Sequence, residues 1–474
     1  ALRAQARDPG SGGEAASSEA AAAEGDDVAE GEIPPEVDQL FGTLRDEAIR
    51  RLDEFGPIHL FSLCWAYSTA RLLDAELEER IQSAALALGR ARDRGEPAAP
   101  LADSRAGRAA RQRPPRRVAG GGEAPPTSEA AMPGTSPAAA AEAAGEASLV
   151  ETPSILAESD RWMALYKPPF WMVSVDSKEA AKEASVGPFE AEDEGDLDDT
   201  ASGAEEGRAR PRMQGWIQQN VAGGRPIHRD PIEAFGLMHR LDVQTSGILI
   251  CAKTYAAAYW IRLQWCAYAV DKEYVCLVHG WVDEGLKEIH KRIRVDKKKA
   301  PNSLRTISTH CSVGPSGKPS FTEVVTLGRF TAAVAADAAA DASAEPERYS
   351  LVALKLHTGR THQIRVHMQS VGHPLVCDVK YAEDRFAADR LWCPRNFLHT
   401  YRLAFEDLPA EDAEASADAA RPVDIICPLP RDLRGTLERL RPADEDSGRM
   451  QAAWLSGDSG ELRPFEDYRG PVTE

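Results

Sequence analysis

Apolar residues recur three and four apart over three stretches near the start of the chain. These are Phe41, Leu44, Ala48 and Leu52; Leu60, Leu63, Cys64 and Tyr67; and Leu77, Ile81, Ala84, Ala85 and Leu88. That spacing puts each set on one face of a helix and predicts three helices. Phe55-Gly56-Pro57 breaks the first from the second, and Asp74 stands where an N-cap would open the third. Further on the period shortens. Ile155 to Pro169 reads as two short strands about an Asp160-Arg161 turn, and Ile248 to Ala252 as a buried strand entered from a polar turn. Residues 271–280 alternate as a strand does, and strands are predicted at 321–330 and 349–357. The 361–372 segment returns to helix, with Thr361 as N-cap, Ile364 and Met368 on one stripe and Gly372 as the stop. Strands and helices mixed through one region predict an α/β (α+β) fold.

Composition limits where that fold can extend. Residues 1–36 and 91–150 are dominated by Ala, Gly, Glu, Pro and Arg with few large apolar groups. Such stretches bury too little surface to offset the roughly 1–2 kcal/mol per residue of backbone entropy lost on ordering, and disorder is predicted for both. Between them, 37–90 is a small helical segment. A folded domain is expected over 151–435, with insertions near 176–210 and 331–347, followed by a polar tail over 436–474.

The net charge of −19 is unevenly spread. Glu190 to Glu206 holds nine carboxylates and no cation, whereas Lys291 to Arg305 holds seven cations against Asp296 alone. Whole-chain charge governs solubility and says little about the field in a groove. The basic run is expected to be a loop able to grip a nucleic-acid backbone. The eight cysteines are scattered without a C-x-x-C pair, as reduced buried thiols are, which places the chain in a reducing compartment, the cytoplasm or an organelle. No run reaches the ~20 apolar residues of a membrane helix, so no membrane partner is expected.

Chemistry concentrates in two blocks. His239-Arg240-Leu241-Asp242 with Thr245-Ser246-Gly247 sets a carboxylate on a tight turn directly before a buried strand, which would fix it rigidly. Thr358-Gly359-Arg360-Thr361-His362-Gln363-Ile364-Arg365, then His367, brings cations onto a helix start. His357, His362, His367 and His373 suggest a metal, but the five-residue step from His362 to His367 turns the side chains about 140° apart, and no ligand set is completed. A serine hydrolase is excluded by the absence of a G-x-S-x-G elbow.

The two blocks in this order closely resemble those of the RluA-type RNA pseudouridine synthases. Lys167-Pro168 and Pro428-Leu429-Pro430 are similar to that family's opening and closing segments, so the likeness spans roughly 152–435. The resemblance implies a mixed, largely antiparallel sheet with flanking helices around a catalytic cleft. It implies isomerisation of a uridine in structured RNA, ribosomal or transfer, without cofactor or metal and with the enzyme as a monomer. Asp242 would be the nucleophile. Arg365 would pair with it and hold it ionised. Tyr274 would lie over the uracil as a candidate proton acceptor, and Arg240 would fill the gap left by the flipped base. Lys272, Arg360, His362 and Leu375 are the remaining substrate-side candidates. One departure concerns backbone: Cys377-Asp378 stands where Gly-Asp is usual, replacing a residue that allows positive φ. The rival is a non-catalytic RNA-binding or RNA-chaperone protein that keeps the fold. Phe55 to Tyr67 also resembles one octotricopeptide-type helical repeat, which would give the 37–90 segment an RNA-binding role.

Overall fold

A computed structural model describes residues 35–96, 151–173, 211–221, 223–299, 306–332, 346–409 and 421–469. The expectations for residues 1–34, for most of 91–150 and for the two insertions lie outside the described residues. The described residues divide into two units, one ending at Ala48 and the other beginning at Ile49, and helix α1 spans Pro35–Arg50.

In the second unit, α2 (Pro57–Thr69) starts at a proline in its first turn and α3 (Ala75–Asp93) at Asp74, whose carboxylate accepts from the Leu77 amide at 2.9 Å. Proline at the start gives up an amide the helix could not use, and the Asp cap satisfies one that it would otherwise leave open. Then follow β1 (Ser154–Glu158), β2 (Trp162–Lys167), α4 (Met213–Asn220), β3 (Ser246–Ala252), α5 (Tyr255–Cys266), β4 (Asp271–His279), β5 (Glu288–His290), β6 (Ile293–Lys299) and β7 (Thr306–Val313). After these come β8 (Phe321–Ala332), β9 (Arg348–Leu356), α6 (Gln363–Ser370), α7 (Glu383–Asp389), β10 (Leu398–Glu406), β11 (Pro422–Ile426), α8 (Arg431–Glu438), β12 (Leu440–Pro442), α9 (Glu445–Ser456) and α10 (Phe465–Arg469).

Among the described residues one large sheet runs β1-β2-β3-β10-β4-β9-β8-β12, with β11 beside β10 and β5 beside β8. Its pairings are antiparallel except β3 with β10, where Ser246 lies opposite His399 and Gly247 opposite Thr400. The fold is therefore the mixed, largely antiparallel α/β arrangement that the sequence predicts. Strand β3 is buried along its whole length, which is why Ile248 to Ala252 reads as an unbroken apolar run. Gly247 is needed where β3 meets β10: its φ is +128°, and a Cβ there would lie 2.3 Å from the Thr400 carbonyl oxygen.

Helices α2 and α3 pack on α5. The Asp93 carboxylate accepts from the amides of Tyr255 at 2.8 Å and Ala256 at 3.1 Å, filling the open donors at the start of α5. Arg92 ion-pairs with Glu233 and, at 2.6 Å, with Asp230. Gly89 lets the helices close together, since a Cβ there would stand 2.5 Å from the Ala256 Cα.

Three expectations are corrected. The polar tail assigned to 436–474 is folded through Arg469: β12 pairs with β8, and Trp454, Leu462 and Phe465 are buried with Phe330, Tyr349 and Tyr401. The Phe465 amide donates to the buried Glu273 carboxylate on β4 at 2.8 Å. A few large anchors spaced along short polar helices are enough, and average composition hides them. The basic run from Lys291 is not a loop, because Ile293–Lys299 is strand β6, paired with β7 in a two-stranded ribbon. Helix α6 begins at Gln363 behind His362 at φ +51°, not behind a capping Thr361.

Candidate active site

The Asp242 turn is built between two strands. The chain leaves an antiparallel bridge at Leu237 opposite Cys251, swings out through 239–245 and returns as β3. His239 Nε2 accepts from the Ile250 amide at 3.1 Å, and the Thr245 amide donates to the Asp242 carbonyl at 3.1 Å. Two buried cations hold the turn from below. Lys167 Nζ donates to the carbonyls of Val243 (3.1 Å), Thr245 (2.6 Å) and Pro168 (3.1 Å). Arg395 donates to the Gln244 carbonyl and to Ser246 Oγ, both at 2.8 Å, and is anchored by Asp432 at 2.7 Å. Burial pushes the Lys167 ammonium well below its ordinary range, Arg395 adds to the shift, and Asp242 opposes it. Leu241 and Val243 are buried on either side, while the Asp242 carboxylate stays partly exposed.

Arg365, carried on α6 and buried, reaches that carboxylate. Its Nη1 lies 3.5 Å from Asp242 Oδ2, so the fold brings together the two residues that the sequence blocks single out. Its fork, however, grips Asp378: Nε to Oδ2 at 2.7 Å and Nη2 to Oδ1 at 2.8 Å. Burial alone would raise the Asp378 carboxyl. Arg365 and the amides of Lys380 and Tyr381 outweigh it and hold Asp378 below the usual carboxylate range. The Tyr381 ring centre lies 5.1 Å from the guanidinium, and its hydroxyl bonds His362 Nδ1 at 2.8 Å. Cys377 keeps the backbone that the usual glycine would supply, at φ +60°, with its amide donating to Asp389 at 2.8 Å.

Tyr274, on β4, faces the same cleft. Burial pushes its phenol up to about 12, and Asp242 acts in the same direction. At neutral pH its hydroxyl is protonated. Burial lowers Lys272 to about 8, with Lys355 adding to the shift and Asp271 opposing it. The cleft is about 490 Å³ and is lined by Asp242, Arg365, Tyr274, Arg240, Lys272 and Arg360, with His362 at its edge. Leu375 is not brought to its surface; it is fully buried in the apolar cluster that includes Leu241 and Tyr274.

Two further histidines of the second block have partners of their own. His367 contacts Thr322 Oγ1 at 2.9 Å and the Lys291 carbonyl at 3.0 Å, and His357 pairs with Glu323. Among the described residues no group of three or more His, Cys, Asp or Glu could hold a metal ion.

Sequence reasoning missed Asp378 as the partner of the Arg365 fork, although its unusual Cys377 neighbour marked the place. It also missed Trp265 and Tyr268 at the end of α5 and Trp65 of α2, all of which line the cleft. His239 stacks on Trp265 with ring centroids 4.9 Å apart. In the sequence these aromatics look like ordinary helix packing.

A loop carboxylate facing an arginine and a tyrosine in a cation-lined cleft defines an enzyme-like centre on a mixed sheet. Residues 228–370 match the model of the RNA pseudouridylate synthase family. A Mycobacterium bovis relative named as an RNA pseudouridine synthase is 33% identical over 233 residues, 48% of this chain and 65% of the relative. Ribosomal large subunit pseudouridine synthase C of Vibrio cholerae is 32% identical over 235 residues, 47% of this chain and 64% of its own length. The chain thus spans just under two thirds of the relatives it matches. The solved structure of human RNA pseudouridylate synthase domain containing 1 is 23% identical, covering 62% of this chain and 89% of that one, with a TM-score of 0.38.

Proposed function

We propose that this chain isomerises uridine to pseudouridine in a structured ribosomal or transfer RNA, with Asp242 as the catalytic carboxylate. The observation that carries this is the charge of the cleft. Among the described residues, Arg240, Lys272, Arg294, Lys318, Arg360 and Arg365 line it against the single carboxylate of Asp242, in a chain whose net charge is −19. Such a cleft suits a polyanion, and one carboxylate set among its cations suits attack on an extruded nucleoside. The reaction breaks the bond from N1 to C1′ and makes one from C5 to C1′; the C5 proton leaves and N1 gains one. Asp242 acts by addition at C1′, by addition at C6 or by opening an elimination, and the three share the same requirement for an ionised, oriented carboxylate. Arg365 supplies charge and orientation. Tyr274, protonated, packs over the base and has a hydroxyl to donate. Arg240, which lines the cleft, would fill the gap that the flipped base leaves.

Tritium release from RNA labelled at C5 of uridine tests the reading. Release from ribosomal or transfer RNA by the wild type and none by Asp242→Ala is the expected result. Tight RNA binding without release by the wild type would favour the non-catalytic binder.

A further inference from the structure

Trp65 lies on α2, outside the family-matched residues, yet it lines the same cleft as Asp242 and Arg240. It is 37% exposed, so much of its indole is not used in packing. Its Nε1 donates to Tyr268 Oη at 3.1 Å, and Thr69 Oγ1 lies 3.3 Å from the same oxygen. Tyr268 itself sits at φ +59°, a costly backbone for a bulky residue, at the turn after α5. Trp265 follows, stacked on His239, with Lys272 Nζ 5.8 Å from its ring centre. Three aromatics, one of them from α2, therefore line a cationic cleft, with Trp65 joined to Tyr268 by a hydrogen bond. Fixed aromatic rings beside lysine and arginine are what unpaired bases stack on, since every base presents a π-face. Helix α2 is seated directly on α5: the Phe61 ring meets Tyr259 edge to face at 5.6 Å, with Arg262 5.2 Å from its centre, and Cys64 Sγ lies 3.8 Å from the Leu263 carbonyl.

We infer that α2 completes the substrate cleft, with Trp65, Tyr268 and Trp265 forming a stacking platform for unpaired bases that flank the target uridine. The inference rests on the reading of the cleft as an RNA site, and it gives the N-terminal helices a part in selecting loops over duplexes. Binding can be separated from chemistry in an Asp242→Asn background, by fluorescence anisotropy at fixed salt. The probes are a fluorescein-labelled stem–loop with uridines in the loop and a duplex of equal length. Trp65→Ala is expected to weaken stem–loop binding about tenfold, a typical loss for one stacked base, and duplex binding little. Trp65→Phe should restore most of it. Trp65→Leu, which keeps apolar volume without a π-face, should bind as weakly as the alanine variant and controls for any loss of packing. Wild-type affinity in Trp65→Ala or Trp65→Leu, or an equal loss on stem–loop and duplex, would overturn the platform. Tritium release by the chain with Asp242 intact is read separately: its absence alongside retained stem–loop discrimination would remove the isomerase reading and leave the platform standing.

Discussion

Asp378 takes the fork of Arg365, which turns its third nitrogen toward Asp242, so the two carboxylates have different duties. Asp378 is fully buried and fixes the guanidinium, whereas Asp242 is partly open to the cleft. Asp378→Asn should destabilise the protein by about 3 kcal/mol, read from the urea midpoint, because it leaves a buried cation without its main counter-charge. It should also lower turnover at least about a hundredfold. Asp242→Asn should abolish turnover while changing stability by no more than about 1 kcal/mol, since its own ion pair is long and partly solvated. A comparable stability loss in both variants would mean that the two share one structural role. Lys272 gives a pH signature. Burial disfavours its ammonium, so on a rise in pH through about 8 it loses charge and with it any pull on phosphate. RNA affinity of the wild type should fall between about pH 7 and 9, and Lys272→Arg, which keeps its charge there, should flatten that fall. Equal slopes in the two proteins would remove Lys272 from the interface.

At the scale of elements, the junction of β3 and β10 is the least forgiving position. Gly247→Ala would drive a methyl into the Thr400 carbonyl and force a left-handed backbone onto alanine, so a loss on the order of 3 kcal/mol or more is expected in thermal or denaturant unfolding. This strand is plain in the sequence, because a short apolar run after a polar turn has few other interpretations. Strands β4, β8 and β9 and the helix carrying Arg365 are legible for similar reasons. The ribbon β6–β7 reads as a loop because its alternation is one-sided: Ile293 and Val295 are the apolar partners of exposed Arg294 and Asp296, and the charges drown the period. In the site, Asp242, Tyr274 and Arg365 are legible through their motifs. The Asp378 clamp is not, since nothing in spacing says which carboxylate a guanidinium fork will choose. The aromatic wall is hidden for another reason: a tryptophan at a helix end carries the same pattern whether it faces a core or a cleft.

Across the whole molecule, the C-terminal segment acts as part of the core. Trp454 is fully buried and meets Tyr401 edge to face, with centroids 5.1 Å apart. Trp454→Ala should therefore cost about 3–5 kcal/mol, a deletion of buried aromatic volume that a tail residue would not register. An unfolding midpoint unchanged by this substitution would return the segment to the status of an appendage. At the other end, α2 and α3 meet α5 through a capped helix start, a paired arginine and a glycine contact, none of which depends on residues 97–150. A chain cut between 97 and 150 should stay together as a non-covalent complex, and the two pieces, made separately and mixed, should reassemble. Co-elution of the fragments on size exclusion, lost when Asp93 is replaced by alanine, would make this protein a naturally divisible one whose halves find each other without the peptide bond between them.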